Sequence, residues 1–228
     1  AVGLAACTQE EFVALPQSDA IAFDGGFVDN ATRVTPAEDP STDSDSIEDF
    51  NVWGFMTDNT GTVFAGDKVE KGSNGWAYAN TQYWAPVRDY FFAAVSPAEN
   101  KHWTLTEGAN TYGPGVVSFT NVDGSEDLLY AAAPAVDAPD FGVAKTVELT
   151  FSHLLSKVKF TFTNGLTNEL ATIDVKNIQM KVPATADIDV NVADWWSTNC
   201  WENYTGTVDV PFGDACAKTG IGESQECD

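Results

Sequence analysis

The chain has 228 residues, a formal net charge of −23 and a pI near 4.1. Its 11 Lys and Arg residues against 34 Asp and Glu residues argue against binding to nucleic acid, because few cations are available to neutralise phosphates. A hydrophobic content of 43% with seven tryptophans excludes wholesale disorder, and no apolar run approaches the roughly 20 residues of a spanning helix.

The N-terminus contains Leu4-Ala5-Ala6-Cys7, followed by a polar stretch from Thr8. This start resembles the lipobox of bacterial lipoproteins, where the signal peptide is cut before the cysteine and a diacylglycerol is attached to its sulfur. The resemblance implies export, lipidation of Cys7 and anchoring to the outer membrane through that lipid. Six residues precede Cys7, so we expect that most of the signal peptide is missing from the sequence. The alternative is an ordinary free cysteine.

Residues 1–33 are predicted to be a lipobox and a leader with one short strand. The strand signal runs through residues 20–28, and we assign Ile21, Phe23 and Phe27 to it. Residues 34–46 are rich in Pro, Asp, Ser and Thr, which is typical of an exposed linker. The acidic residues in and after this linker lack the central glycine and the spacing of an EF-hand, so we predict no metal site there.

From Phe50 onward, short apolar runs alternate with Gly, Asn, Asp and Pro. Runs of four to eight residues rich in Val, Phe, Tyr, Trp and Thr predict an all-β sandwich or barrel. The clearest alternation lies in residues 147–151 and 158–163, which we predict to be half-buried strands. The composition changes after residue 183. We therefore expect an N-terminal β-sandwich domain over residues 34–183 and an incomplete second β domain that starts in residues 184–228.

The cysteines other than Cys7 are Cys200, Cys216 and Cys227. An exported protein can form disulfides, and Cys216 with Cys227 would close a short loop. With Cys7 lipidated, three remain, so one is unpaired or pairs outside this chain. No CxxC pair or neighbouring histidine indicates zinc.

The sequence gives no pattern for catalysis. It has two histidines, His102 and His153, and neither a GxSxG motif nor a phosphate-binding loop, so we predict no enzymatic activity and no cofactor. Aromatic residues in the apolar runs are typical of a sandwich core, although they could instead form a platform that stacks on sugars. The four tryptophans concerned are Trp53, Trp76, Trp84 and Trp103.

Several short segments follow one another in a characteristic order across residues 4–183. They are LAAC (4–7), IAF (21–23), NATRVTP (30–36), FNVWGF (50–55), VF (63–64), WAY (76–78), YW (83–84), YFFAAVSP (90–97), DLLYA (127–131) and LTFSHLLSKV (149–158). In this order the segments resemble the fimbrillin family, the lipoprotein precursors of type V pili in Bacteroidales bacteria. The resemblance implies a fold of two transthyretin-like β-sandwich domains in series.

The resemblance also implies a role for Arg33, one of two arginines in the chain. In fimbrillins an arginine at this place is cut by an Arg-specific protease, so the mature subunit would start at Val34. Exposed, weakly structured segments are where proteolytic nicking concentrates. The alternative is a solvated surface arginine. The second arginine, Arg88, adjoins a predicted strand and is assigned a structural role.

Cutting after Arg33 would remove the lipid anchor and the leader strand together. An apolar groove with unpaired backbone groups would remain, and a strand of another pilin subunit could fill it. We therefore predict a structural pilin subunit of a cell-surface fimbria that polymerises by β-strand exchange. The alternative function is a glycan-binding or tip-adhesin lipoprotein that stays anchored and is not trimmed.

Overall fold

The computed structural model describes residues 19–29, 47–57, 61–98, 102–106, 115–124, 127–156, 158, 160–166, 175–190, 201–212 and 224–227. The described residues form β-strands and contain no α-helix, which confirms the all-β prediction. In this part of the chain, no helix has the length and apolarity that a membrane span requires.

The strands are numbered in chain order. They are β1 (Ala22–Asp29), β2 (Asp49–Met56), β3 (Thr62–Gly72), β4 (Gly75–Tyr78), β5 (Asp89–Ser96), β6 (Trp103–Thr106), β7 (Val116–Thr120), β8 (Leu129–Asp137), β9 (Thr146–His153), β10 (Phe160–Thr163), β11 (Gln179–Val182), β12 (Thr185–Asp189), β13 (Trp201–Thr205), β14 (Val208–Pro211) and β15 (Ser224–Cys227). A seven-stranded sheet has the order β1-β9-β8-β5-β2-β3-β4, and a four-stranded sheet has the order β13-β12-β7-β6. Two further pairs are β10-β15 and β11-β14.

Strand β5 lies in the middle of the seven-stranded sheet, and both of its faces are buried. Tyr90, Phe92 and Ala94 belong to one apolar core, whereas Ala93 and Val95 belong to another. Successive side chains of a strand point to opposite faces, so a strand covered on both sides becomes a continuous apolar run. This explains the run from Tyr90 to Val95 in the sequence.

The first core lies where the seven-stranded sheet curls, so that β1 approaches β4. Strand β9 shows the predicted alternation. Val147, Leu149 and Phe151 are buried in this core, while Glu148 and Thr150 are exposed. The prediction of a half-buried strand at residues 147–151 is therefore confirmed.

The second core lies on the opposite face of the same sheet, against the four-stranded sheet. Ile188 of β12 and Val190 are buried in this core, and Trp201 of β13 packs against it. The indole N–H of Trp201 donates a hydrogen bond to the carbonyl of Leu154 at 3.0 Å. These contacts cross the expected boundary between residues 183 and 184, so β12 and β13 share a core with strands that precede it.

The central sheet has little space near Gly54 of β2. A Cβ atom at this position would lie 2.9 Å from Cδ2 of Phe64 and 2.9 Å from Cε1 of Phe92, two fully buried rings. We expect Gly54→Ala to lower the free energy of unfolding by about 1–3 kcal/mol through overpacking. Chemical denaturation measures this loss.

Gly61→Ala is the matched control, because a Cβ atom at Gly61 meets nothing within 4 Å. An equal loss of stability in the two variants would contradict the overpacking explanation.

Candidate functional site

Residues 19–29 contain β1, an edge strand of the curled seven-stranded sheet, and reach the chain that follows β4 at the other end of that sheet. On one side, the backbone N–H of Ile21 donates to the carbonyl of Gln82 at 2.8 Å. The N–H of Trp84 donates to the carbonyl of Asp19 at 2.9 Å. Ala20 and Tyr83 form an isolated antiparallel bridge between these two bonds. The start of this segment is therefore paired with the chain that follows β4.

On the other side, β1 pairs with β9 in a parallel ladder. Ala22 lies opposite Thr146, and Asp29 lies opposite Ser152, with a bulge between Gly25 and Phe27. We call the space between β9 and residues 82–84 the leader groove, and the segment that fills it, residues 19–29, the leader strand. Because its later residues pair with β9 and its first residues bond to the chain that follows β4, the leader strand links the two ends of the curled sheet.

The leader strand directs two large apolar side chains into the first core. Ile21 is 1% exposed and Phe23 is 6% exposed, whereas the neighbouring Ala22 and Asp24 are exposed. Four aromatic rings surround Phe23, and we call them the aromatic box. Their centroid distances from Phe23 are 5.3 Å for Phe64, 5.8 Å for Tyr78, 5.9 Å for Phe92 and 6.1 Å for Phe50. All four pairs are edge-on, which is a favoured arrangement of aromatic rings.

Tyr78 contacts the leader strand in two ways, through its ring and through a hydrogen bond from its hydroxyl. Its hydroxyl donates to the carbonyl of Ile21 at 2.6 Å. Burial raises the pKa of this phenol above its ordinary value of 10.0. The phenol therefore stays protonated, and able to donate, over the whole neutral range.

Asp19 is a buried acidic residue at the start of the leader strand. The residue is 5% exposed, and its Oδ1 accepts a hydrogen bond from the backbone N–H of Gly142 at 2.6 Å. Its Oδ2 is buried and has no hydrogen-bond partner among the described residues. The side chain thus ties the leader strand to the loop between β8 and β9.

Some of the predicted site residues lie in the described part of the chain, and the others lie outside it. Ile21 directly precedes β1, Phe23 lies within β1, and the backbone of Phe27 pairs opposite Thr150. Cys227 is the last residue of β15, whose backbone is described. The other predicted residues are Cys7, Arg33, Val34 and Cys216, which lie outside the described residues.

Four residues of this site carry no signal in the sequence that assigns them to it: Asp19, Tyr78, Gln82 and Gly142. Asp19 is two residues before Ile21, but Gly142 is distant in sequence, and no local pattern connects them. Tyr78 was assigned to an apolar run, and its ring does join the aromatic box. A pattern of apolar residues does not predict the hydrogen bond that its hydroxyl donates.

The tryptophans weighed for a sugar platform lie in or against the two cores. Trp53, Trp84 and Trp103 are buried, and Trp76 packs against the first core. The rings of Trp53 and Trp103 contact each other edge-on at 6.4 Å. These four side chains therefore serve as core residues.

Comparison with known proteins adds three findings. The family model described as Fimbrillin-like matches residues 32–215. Among solved structures, the chain is similar to the fimbrial anchor protein Mfa2 from Porphyromonas gingivalis, with 12% sequence identity and a TM-score of 0.39 over 91% of this chain and 70% of that chain. No curated protein matches. The family match begins at residue 32, so the leader strand precedes the matched residues.

The buried ring of Phe23 anchors the leader strand in the first core. We expect Phe23→Ala to cost about 3–5 kcal/mol, as for other buried aromatic rings, and to loosen the leader strand first. Hydrogen exchange of the amides of β1 and β9 measures the loosening, and chemical denaturation measures the total cost. Asp24→Ala is the matched control, because Asp24 is exposed on the same strand. Equal exchange rates in the two variants would rule out anchoring through the aromatic box.

Alkaline pH tests the hydrogen bond from Tyr78. An unfolded chain ionises its tyrosines near pH 10, whereas the raised pKa keeps the folded Tyr78 protonated at higher pH. This contribution to stability is therefore complete below about pH 10 and is lost as the pH rises through the raised pKa. We expect Tyr78→Phe to be less stable at neutral pH but to lose less stability above pH 10. Denaturation at pH 7 to 11 measures both, and Tyr204→Phe, at an exposed tyrosine, should keep the parent profile.

Proposed function

This chain belongs to the fimbrillin-like family, and we propose that it is a structural pilin subunit, exported as a lipoprotein, cut after Arg33 and polymerised by β-strand exchange. In this proposal Cys7 carries the lipid that anchors the precursor to the outer membrane. An Arg-specific protease releases the subunit with Val34 as its first residue. The mature subunits then form a fimbria outside the cell. The role is structural, and no catalytic step belongs to it.

The arrangement of the leader strand is the observation that carries this proposal. The strand bonds to β9 on one side and to residues 82–84 on the other, and it places Phe23 in the aromatic box. Removing it would leave the edge of β9 and the backbone groups of Gln82 and Trp84 without these partners, beside the apolar cleft that Ile21 and Phe23 fill. Such an edge is a template for another strand, in which backbone bonds give affinity and side-chain pockets give register.

The position of the cut links release to assembly. Cys7 and the leader strand both precede Arg33 in the chain, so one cleavage would separate both from the body. Before the cut, the precursor fills its own groove and is tethered. After the cut, the groove can accept a strand of another subunit.

Strand exchange of this kind leads to a filament. The donor strand and the groove are different surfaces, so the contact between subunits is heterologous. A heterologous contact that does not close into a ring repeats indefinitely. Other pilin subunits are therefore the expected partners.

The backbone around Arg88 supports Arg33 as the preferred cut. The carbonyl of Arg88 accepts a hydrogen bond from the N–H of Ala138 at 2.8 Å, and β5 begins at the next residue. A protease would have to break these bonds before it could bind the chain in an extended form. Arg33, in contrast, adjoins a segment with the composition of a linker.

The alternative of an untrimmed glycan-binding lipoprotein receives less support. It depends on a surface platform of tryptophans, and the four tryptophans concerned lie in or against the cores. We therefore keep the pilin subunit as the proposed function.

Arg-specific cleavage tests the proposal directly. We expect the protease to convert the precursor to a product that starts at Val34, and the product to form polymers. Intact mass and N-terminal sequencing identify the cut, and light scattering with electron microscopy detects the polymers.

Arg33→Ala should stay uncut and monomeric, whereas Arg88→Lys should mature like the parent chain. If polymers form with Cys7 and Arg33 still attached to the chain, the proposed maturation is wrong.

A further inference from the structure

We propose that the leader groove selects its donor by orientation and by a five-residue pattern: a side-chain acceptor, any residue, an aliphatic residue, any residue, then phenylalanine. The donor is a strand of a neighbouring fimbrial subunit, and it runs parallel to β9, as the leader strand does. This inference rests on the proposed function, because the donor takes the place of the leader strand. The pattern follows from three subsites that Asp19, Ile21 and Phe23 occupy in this structure.

The subsite for phenylalanine is the aromatic box. Its four rings lie at centroid distances between 5.3 and 6.1 Å from Phe23. A leucine would leave part of this space empty. A tyrosine would bury a hydroxyl among rings, and the one phenol of the box, on Tyr78, already donates to the carbonyl of Ile21. A buried hydroxyl without a partner is costly, so the box favours phenylalanine over both.

The subsite for the aliphatic residue fixes the register. Ile21 uses both of its backbone groups here, since its N–H donates to Gln82 and its carbonyl accepts from Tyr78. Proline has no N–H and is therefore excluded at this position. A slip of one residue would turn the phenylalanine away from the box, because neighbouring side chains point to opposite faces.

The subsite for the acceptor is the buried pocket of Asp19. The backbone N–H of Gly142 donates to its carboxylate at 2.6 Å, and an apolar side chain would leave this N–H without that acceptor. Asparagine offers the same carbonyl-type oxygen without charge. Since Oδ2 of Asp19 is buried with no hydrogen-bond partner among the described residues, asparagine should be tolerated.

The order of the subsites gives the groove a direction. The acceptor pocket comes first and the aromatic box comes four residues later, along a strand that is parallel to β9 and antiparallel to residues 82–84. A reversed strand would have to exchange these two pairing modes, whose hydrogen-bond patterns differ. It would also bring the phenylalanine and the acceptor to the groove in the wrong order.

Peptide exchange into the full chain tests this pattern. The chain is cut after Arg33, and a labelled synthetic peptide of residues 18–29 competes with the seated leader strand. Native mass spectrometry measures the fraction of chains that hold the label. The variant peptides carry Phe23→Leu, Phe23→Tyr, Asp19→Asn or Asp19→Ala, and a further peptide has the reversed sequence.

We expect the parent peptide to enter and the Asp19→Asn peptide to compete within about threefold of it. The Asp19→Ala, Phe23→Leu and Phe23→Tyr peptides should be weaker by about tenfold or more, which is the scale of one lost hydrogen bond or part of a buried ring. The reversed peptide should not compete.

The outcomes separate this inference from the proposed function. If all peptides enter equally, or the reversed peptide enters as well as the parent, the selection pattern is wrong while strand exchange stands. If no peptide enters, the parent included, both are wrong.

A second measurement does not depend on how fast a peptide replaces the seated leader strand. In the uncut chain, Asp19→Ala should raise the hydrogen-exchange rate of the Gly142 amide by about tenfold, whereas Asp19→Asn should leave it near the parent rate. Equal rates in the two variants would overturn the acceptor subsite.

Discussion

The closure of the seven-stranded sheet by residues 19–29 is the constraint on which the rest of the structure depends. Backbone N–H and C=O groups inside a protein need partners, and without residues 19–29 the edge of β9 and the chain that follows β4 would both lose partners. Residues 22–29 of the leader strand pair with β9, residues 19–21 bond to residues 82–84, and Ile21 and Phe23 fill the cleft. The first core is complete only with these two side chains in place.

The same sheet also supports the second core, so the two cores share a backbone. Phe92 faces the ring of Phe23 on one side of β5, and the next residue, Ala93, faces the second core. Strand β12 then extends the second core with Ile188. The groove is therefore built on a sheet whose far face is fixed by packing. This backing would keep the sides of the groove in register if its occupant were exchanged.

The sequence was sufficient to predict those features that depend on local patterns. Alternation along residues 147–151 predicted a half-buried strand, because one face of β9 is exposed to solvent and the other is buried. The order of short segments pointed to the fimbrillin family, and the strand signal at residues 20–28 corresponds to β1.

Features that join distant residues could not be predicted in this way. The bond between Asp19 and Gly142 spans 123 residues, and that between Tyr78 and Ile21 spans 57. The pairing of β12 with β7 joins residues on the two sides of the composition change after residue 183. Composition reports what a segment contains, whereas strand pairing depends on which edge the returning chain meets.

The parallel ladder between β1 and β9 also determines how the leader strand would resist force. A pull along β1 loads its hydrogen bonds in shear, so the bonds from Ala22 to Asp29 carry the load together. A pull at right angles would instead peel them apart one after another. Phe23 adds a mechanical stop, because its ring must leave the aromatic box before the strand can slide. A strand seated in the leader groove would thus resist a pull along its own axis better than a pull at right angles to it.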